Sequence, residues 1–194
     1  MQSEKQKIIE GFTLIESLVA ITVLLIGVLG PMTAATRGIT DGLYAGNQLI
    51  GTYLAQEGLE LLSTRLEEGM TSFGPPPAGF LDGLGDCLGN DCAVVFESYT
   101  APNLSGFSFL SCVVPNEGRC TLAFDSSTGF YRPLADCSGC NLVGPMFIRT
   151  LRVLELVTGE EVLLTSTVKW KNKATDVTDK SINLYRYAFN KIPE

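Results

Sequence analysis

The stretch KIIEGFTLIESLVAITVLLIGVLG, residues 7–30, decides the fold, because it begins a run apolar enough to cross a membrane. From Phe12 to Ala35 the chain has 24 residues and a single charge, Glu16. A helix of that length rises roughly 36 Å, which exceeds the ~30 Å hydrocarbon core of a bilayer. A charged carboxylate in hydrocarbon costs about 2.5–3.5 kcal/mol, so the presence of Glu16 needs an explanation.

The composition limits the classes of function. A chain of 194 residues holds one ordinary domain and a membrane segment. A net charge of −7 argues against a general nucleic-acid binder, which would carry a basic face. The sequence has no histidine, so Ser-His-Asp and Cys-His catalysis are excluded. A carboxylate pair or a Ser/Lys pair could still serve an enzyme, but no motif places one; we expect no enzymatic activity, no cofactor and no nucleic-acid partner.

The short head before the apolar run, residues 1–11, indicates the orientation of the segment. It carries Lys5 and Lys7, and lysines ahead of a span favour a cytoplasmic location for that end. The C-terminal part would then lie outside. A cleaved secretory signal is one interpretation, but the apolar run is long for a signal and its cleavage signals are weak. A plain signal anchor is the second interpretation, and it leaves Glu16 unexplained.

A third interpretation rests on GFTLIE, Gly11 to Glu16, which resembles the processing site of type IV prepilins and type II secretion pseudopilins. In that family a prepilin peptidase cuts after the glycine, on the cytoplasmic side, and methylates the new N-terminal residue. The resemblance implies a cut between Gly11 and Phe12, with methylation of Phe12. It covers directly only about the first 30 residues.

The same resemblance gives Glu16 a role, as the fifth residue of the mature chain. In assembled pilins this glutamate pairs with the N-terminal amine of a neighbouring subunit. A lone carboxylate and a lone ammonium are both disfavoured in lipid, and brought together they neutralise each other. Glu16 would then direct assembly rather than catalysis. The alternative is that Glu16, near the end of the span, extends its carboxylate to the head-group region.

The helical pattern continues beyond the membrane. Gly30, Pro31, Gly38 and Gly42 interrupt it, and Pro31 predicts a kink or local melting because it removes a backbone bond. An amphipathic period then resumes, with an apolar stripe that we expect to pack on a sheet. The stripe consists of Leu43, Ile50, Leu54, Leu61 and Leu62.

The end of this helix is predicted by the residues that follow it. GPPPAG, residues 74–79, cannot continue a helix, so the helix should end near residues 69–72. The segment YLAQEGLELL, residues 53–62, also resembles the corresponding helix of minor pilins.

The region 73–145 is rich in Gly, Pro, Ser, Asn and Cys, and we expect an irregular β insertion there. Short runs within it predict strands at residues 93–99, 107–114, 122–124 and 130–132. FDSSTGFY, residues 124–131, predicts a tight hairpin in which Gly129 takes a positive φ.

The C-terminal part predicts three antiparallel strands, at residues 146–157, 162–170 and 181–189. In the second strand alternate residues share one face, which should pack on the helix. These residues are Val162, Leu164, Ser166, Val168 and Trp170. An R-x-L-x-V strand followed by one that ends in V-x-W resembles the C-terminal sheet of minor pilins and pseudopilins.

Six cysteines lie past the apolar run: Cys87, Cys92, Cys112, Cys120, Cys137 and Cys140. Their even number, behind a membrane signal, favours structural disulfides in an oxidising space. A four-cysteine zinc site from Cys87, Cys92, Cys137 and Cys140, or a redox pair in CSGC, are alternatives. Sequence does not decide among the 15 connectivities of six cysteines, although local pairs such as Cys87 with Cys92 and Cys112 with Cys120 are natural candidates.

Together these observations predict an α+β, pilin-like fold, in which a long N-terminal helix packs on a C-terminal antiparallel sheet with a cysteine-rich insertion. The expected organisation is a leader at 1–11, a membrane or filament-core helix at 12–35, an amphipathic helix at 36–72, the insertion at 73–145 and the sheet at 146–194.

The expected function is that of a minor pilin or pseudopilin. Such a subunit would be cut by prepilin peptidase and assembled with other pilin subunits through its N-terminal helix, at the pilus assembly platform. It would begin in the cytoplasmic membrane with its C-terminus outside, and end in a surface filament. The alternative is a signal-anchored extracytoplasmic binding or adhesion protein that enters no filament.

Overall fold

The computed structural model describes residues 13–72, 79–96, 106–112, 118–137, 139–171 and 180–190. The chain divides into two compact units, Met1–Leu43 and Tyr44–Glu194. Where it is described, the first unit is helical from Leu14 onward. The second unit, here called the head, contains the rest of the helix and an antiparallel sheet.

The N-terminal helix, α1, runs from Leu14 to Ser72. It continues through Pro31 as α-helix, so of the two predicted effects local melting is wrong, whereas the kink stays a prediction. Proline removes a single backbone N–H, and the neighbouring turns keep theirs; the Thr33 hydroxyl also donates to the Gly30 carbonyl at 2.8 Å. The end at Ser72 agrees with the prediction from the proline-rich segment that follows.

The described residues of the head form seven strands in one sheet, with two short 3₁₀ turns at Gly85–Cys87 and Leu134–Asp136. The strands are β1 (Cys92–Phe96), β2 (Phe107–Ser111), β3 (Thr121–Asp125), β4 (Phe130–Pro133), β5 (Leu142–Val157), β6 (Glu161–Trp170) and β7 (Lys180–Phe189). The three predicted C-terminal strands are confirmed, and the predicted β3–β4 hairpin is present with Gly129 at φ 80°.

The long strand β5 organises the sheet. On one side it pairs with β6, which in turn pairs with β7. On the other side β3 and its hairpin partner β4 lie along the first half of β5, whereas β1 joins β5 at the pair Cys92–Leu151 and carries β2 beyond it. All four strands of the cysteine-rich region therefore belong to the same sheet as the C-terminal strands.

The core lies between α1 and the inward face of the sheet. From the helix it takes Leu54, Ala55, Leu59, Leu62 and Leu66, and from the sheet Phe147, Leu151, Val153, Val162, Leu164 and Val168. The predicted inward face of β6 is confirmed, since Ser166 and Trp170 are buried as well. The predicted helix stripe begins too early, because Leu43 is 65% exposed and burial starts near Ile50.

Two glycines of α1 lie close against the sheet. A Cβ atom added at Gly58 would stand 2.6 Å from Leu151 Cδ2 and 2.9 Å from Ser166 Oγ. One added at Gly51 would stand 3.1 Å from the ring of Trp170. The missing side chains therefore allow the helix backbone to approach the sheet at these two positions.

Candidate functional site

Glu16, the residue singled out by the sequence, lies in the first turn of α1 and is exposed. Thr13 immediately precedes the helix, and the Glu16 backbone N–H donates to its Oγ1 at 3.4 Å. Threonine followed three residues later by glutamate is the pattern of a capping box. The carboxylate therefore lies where the positive end of the helix dipole favours a negative charge, and where a group from outside the chain can approach it.

From Leu14 to Ala35 the helix that carries Glu16 presents mainly apolar side chains, and the charged residues Arg37 and Asp41 come after this stretch. Every residue from Thr13 to Gly46 is exposed, and one stretch of α1 is long and apolar enough to span a membrane or to act as a signal sequence. A helix that is apolar all round is suited to hydrocarbon or to the interior of a bundle, not to water.

The few hydroxyl groups in this segment bond to the helix itself. Thr22 Oγ1 donates to the Val19 carbonyl at 2.8 Å, and Ser17 Oγ donates to the Thr13 carbonyl at 3.4 Å. Such bonds to carbonyls three or four residues back satisfy a hydroxyl without water. They reduce the cost of placing these residues in a bilayer, where no water is available. Glu16 remains the single charged side chain between Thr13 and Ala35.

The predicted processing site, Gly11 and Phe12, and the lysines of the short head, Lys5 and Lys7, lie outside the described residues. Their roles stay predictions from the sequence.

The six cysteines form three disulfides in the head: Cys87–Cys92, Cys112–Cys120 and Cys137–Cys140. Their Cα atoms are 5.0, 5.8 and 5.2 Å apart respectively, within the usual range for a bridge. The local pairings suggested by the sequence are present, and no cysteine remains free to offer a thiolate to zinc. The Cys87–Cys92 bridge is fully buried in the main core, where it joins the 3₁₀ turn to β1.

A buried arginine that the sequence reasoning missed connects the helix to the sheet. Arg149 lies on the inward face of β5 and is only 4% exposed. Its Nη1 donates to Glu57 Oε2 at 2.9 Å and to the Leu54 carbonyl at 3.3 Å, both on α1. The sequence could have revealed it: Arg149 alternates with the buried residues Phe147 and Leu151 along the strand, so its side chain was expected on the inward face, where a charge requires a partner.

A second missed feature is the buried carboxylate Asp125, at the end of β3. Its Oδ1 accepts from the Ser127 hydroxyl at 2.6 Å and from the backbone N–H groups of Ser127 and Asn141 at 3.0 and 3.3 Å. Its Oδ2 accepts from Thr128 Oγ1 at 3.1 Å and from Arg132 Nη1 at 3.3 Å.

These bonds favour the ionised form of Asp125. The Ser127 hydroxyl contributes most, and burial acts in the opposite direction; the pKa of Asp125 falls from 3.8 to about 2. Because Asn141 immediately precedes β5, the carboxylate ties the β3–β4 turn to the start of that strand. Both the Asp125 cluster and the Arg149 pair are therefore structural features of the head.

Comparison with known proteins gave no match to a family model, a curated protein or a solved structure. The architecture itself defines a class: an α+β chain in which a long N-terminal helix, apolar in its first half, packs by its second half on an antiparallel sheet with disulfide-bonded cysteines. This layout is pilin-like.

Proposed function

We propose that this chain is a minor pilin or pseudopilin, a structural subunit of a type IV pilus or a related type II secretion-like filament. Prepilin peptidase cuts it between Gly11 and Phe12 and methylates Phe12. The assembly platform then adds it to other pilin subunits through α1. The pilin-like layout, with its apolar helix and disulfide-bonded head, supports this proposal.

One observation carries the proposal: a carboxylate, Glu16, is the single charged side chain between Thr13 and Ala35, in an apolar part of α1 whose residues are all exposed. A membrane anchor needs no charge at this position, and insertion is easier without one. A filament subunit does need it, because the carboxylate gives the next chain a single preferred register. The cost of a lone charge in the membrane then favours assembly.

The partner that fits this position is the N-terminal amine of a neighbouring mature chain. After the proposed cut, that amine belongs to Phe12, four positions before Glu16. In an apolar bundle an unpaired ammonium and an unpaired carboxylate are both strongly disfavoured. Removing one member of a buried pair typically costs about 3–5 kcal/mol, because the other charge is left uncompensated.

The test of this role replaces Glu16 and compares assembly with membrane insertion. Glu16→Val makes the span uniformly apolar and leaves the Gly11–Phe12 junction intact, so insertion and cleavage should continue. We expect the variant in the membrane fraction but not in fibres sheared from cells. Ser17→Val is the matched control, since it also makes the first turn more apolar but keeps the carboxylate; it should enter fibres like the wild type.

Two results would count against the proposal in different ways. If Glu16→Val entered sheared fibres at the wild-type level, the charge-pair mechanism would be wrong and a carboxylate directed at the head groups would explain Glu16. If the wild-type chain itself were absent from fibres, the anchored binding protein would be the better description.

The processing step has its own measurement. Mass spectrometry of the mature protein should find Phe12 at the N-terminus with one added methyl group. Gly11→Val should block the cut, because a side chain crowds the scissile bond. An intact N-terminus at Met1, in cells that contain the peptidase, would contradict the proposed processing.

A further inference from the structure

The face of the sheet opposite α1 carries a cleft of about 370 Å³, within the size range of small-molecule sites. It crosses three neighbouring strands, because Thr165 of β6 pairs with Arg152 of β5 on one side and with Tyr185 of β7 on the other. Lys169 lines the cleft four residues further along β6, a distance of about 13 Å at roughly 3.3 Å per residue. The cleft is therefore long enough for a ligand larger than a single ion.

One end of the cleft is held in place by an ion pair between Arg152 and Asp91. Arg152 donates to Asp91 Oδ1 through Nε at 3.0 Å and through Nη2 at 2.7 Å. The Asp91 carbonyl accepts from the Cys112 N–H at 2.9 Å, and Asp91 directly precedes Cys92 of the buried Cys87–Cys92 disulfide, so its position is fixed. Both bonds from Arg152 end on the same oxygen, and Asp91 Oδ2 accepts none from the residues that the structure describes. That oxygen is open to a ligand.

The rest of the cleft is lined by polar groups that the head does not use. Thr150, Thr165 and Thr167 are half-buried at its floor, and within the described part of the chain their hydroxyls form no hydrogen bond. The Lys169 ammonium is exposed and forms no ion pair with any described residue. Tyr185, which is 61% exposed, adds an aromatic ring beside them. The cleft thus offers hydroxyls that donate and accept, a cation, a carboxylate oxygen and one apolar surface.

This set of groups selects among ligand classes. An apolar ligand would take the threonine hydroxyls, the Lys169 ammonium and Asp91 Oδ2 out of water without giving them hydrogen bonds, which is unfavourable. A simple anion would pair with Lys169 but leave the hydroxyls unused, and a simple cation would be repelled by Lys169 and Arg152. A ligand with several hydroxyls supplies a donor for Asp91 and partners for the threonines. Since two cations and one anion line the cleft, a negative charge on that ligand is favoured.

We infer that the cleft binds an acidic sugar, a saccharide of one or two rings that carries a carboxylate. The carboxylate of the sugar pairs with the Lys169 ammonium, and its hydroxyls bond to the threonines and to Asp91 Oδ2. The apolar face of a sugar ring packs on Tyr185. This inference goes beyond the proposed function, because a filament subunit and an anchored protein could each carry such a site.

The test measures the binding of cellobiouronic acid, a disaccharide of glucuronic acid and glucose, to the full chain in detergent micelles. Saturation-transfer NMR on the sugar gives the affinity. Cellobiose is the matched neutral ligand, because a hydroxymethyl group replaces the carboxylate, and acetate supplies the carboxylate alone. We expect the acidic disaccharide to bind at least about tenfold more tightly than either, because the charge-assisted bond and the sugar contacts act together. The inference is overturned if it does not bind, or if cellobiose or acetate binds equally well.

Three variants locate the binding in the cleft. Lys169→Gln should lower the affinity for the acidic disaccharide about tenfold, to that of cellobiose. Thr167→Val keeps the shape of the side chain but removes a hydroxyl, and should weaken binding of both disaccharides about fivefold. Arg37→Gln is the matched control, since it removes the same charge from an exposed part of α1 and should leave both affinities unchanged.

The melting temperature of each variant should match that of the wild type, because all three side chains lie outside the core. Wild-type affinity in Lys169→Gln, or an equal loss in Arg37→Gln, would show that the sugar does not bind in this cleft. Incorporation into fibres is scored separately by shearing, so failure of the proposed function and failure of this site remain distinguishable.

Discussion

Gly58 offers a direct test of how tightly α1 lies on the sheet. Gly58→Ala places a methyl group 2.6 Å from Leu151 Cδ2 and 2.9 Å from Ser166 Oγ, whereas the optimal van der Waals separation of two carbon atoms is about 3.5–4.0 Å. Leu151 and Ser166 are both fully buried on the inward face of the sheet, so their side chains can move only against other core atoms. Overpacking of this kind typically costs about 1–3 kcal/mol.

Helix propensity acts in the opposite direction, and a second glycine measures it. Alanine is favoured over glycine inside a helix by about 0.8–1.0 kcal/mol. Gly46 lies in the same helix, and an added Cβ there meets no atom within 4 Å. Gly46→Ala should therefore be neutral or slightly stabilising. We expect Gly58→Ala to be less stable than Gly46→Ala by about 1–3 kcal/mol.

The assay is urea unfolding, followed by fluorescence, of an oxidised fragment of residues 36–194, which contains the head and the eight residues before it. The chain has one tryptophan, Trp170, which is buried in the core and reports the transition without labelling. A double variant adds a check. Leu151→Ala alone should lower the unfolding free energy by about 2–5 kcal/mol, and by less in the presence of Gly58→Ala, whose methyl group fills part of the cavity left by the leucine. If Gly58→Ala were as stable as Gly46→Ala, the close approach of helix and sheet described above would be incorrect.

Three further predictions concern the head. Asp125 has a pKa of about 2 in the folded head, against 3.8 when unperturbed, so its carboxylate stabilises the head fully above about pH 4 and loses this effect as the pH falls towards 2. The difference in unfolding free energy between the wild type and Asp125→Asn, measured in urea, should therefore shrink over that pH range. Replacing Cys87 and Cys92 by alanine removes a buried disulfide and should lower the unfolding free energy by about 2–5 kcal/mol. A thiol assay on the wild type, denatured without reduction, should find no reactive thiol. Glu57→Leu leaves the buried guanidinium of Arg149 without its carboxylate and should destabilise the head by about 1–3 kcal/mol. Adding Arg149→Met should recover most of that loss; if the free-energy losses of the two substitutions simply added, the ion pair would be contradicted.

Some parts of this protein follow from local sequence alone. The apolar run predicts a helix long enough for a membrane, and the prolines at 75–77 predict an end close to Ser72, the last residue of α1, because both predictions depend only on neighbouring residues. The alternation in β6 identified its buried face for the same reason, since successive side chains in a strand point to opposite sides. The strand positions predicted in the cysteine-rich region agree with those observed where the chain is described, whereas residues 97–99 and 113–114 of two predicted strands lie outside the described residues.

Errors arose where a local pattern was extended without its packing partner. Leu43 fits the helical period of the apolar stripe, but the core is not beside it, so it remains exposed. Local melting was one of the effects predicted for Pro31, but the loss of one backbone hydrogen bond leaves the remaining turns of the helix intact. At Leu43 the helical period was correct and the lack of a packing partner determined the outcome, whereas at Pro31 the effect of one lost backbone bond was overestimated.

Other features depend on residues that are distant along the chain, and only the tertiary structure decides them. Arg149 and Glu57 are 92 residues apart, and Gly58 matters only because Leu151 lies opposite it. The place of β7 at the end of the sheet, among the described strands, likewise arises from the order of strands, which no local period encodes. Hydrophobic spacing specifies which face of an element is buried. Which residue pairs with a buried charge, which side chain lies opposite a glycine and which strands are neighbours all depend on how the elements pack together.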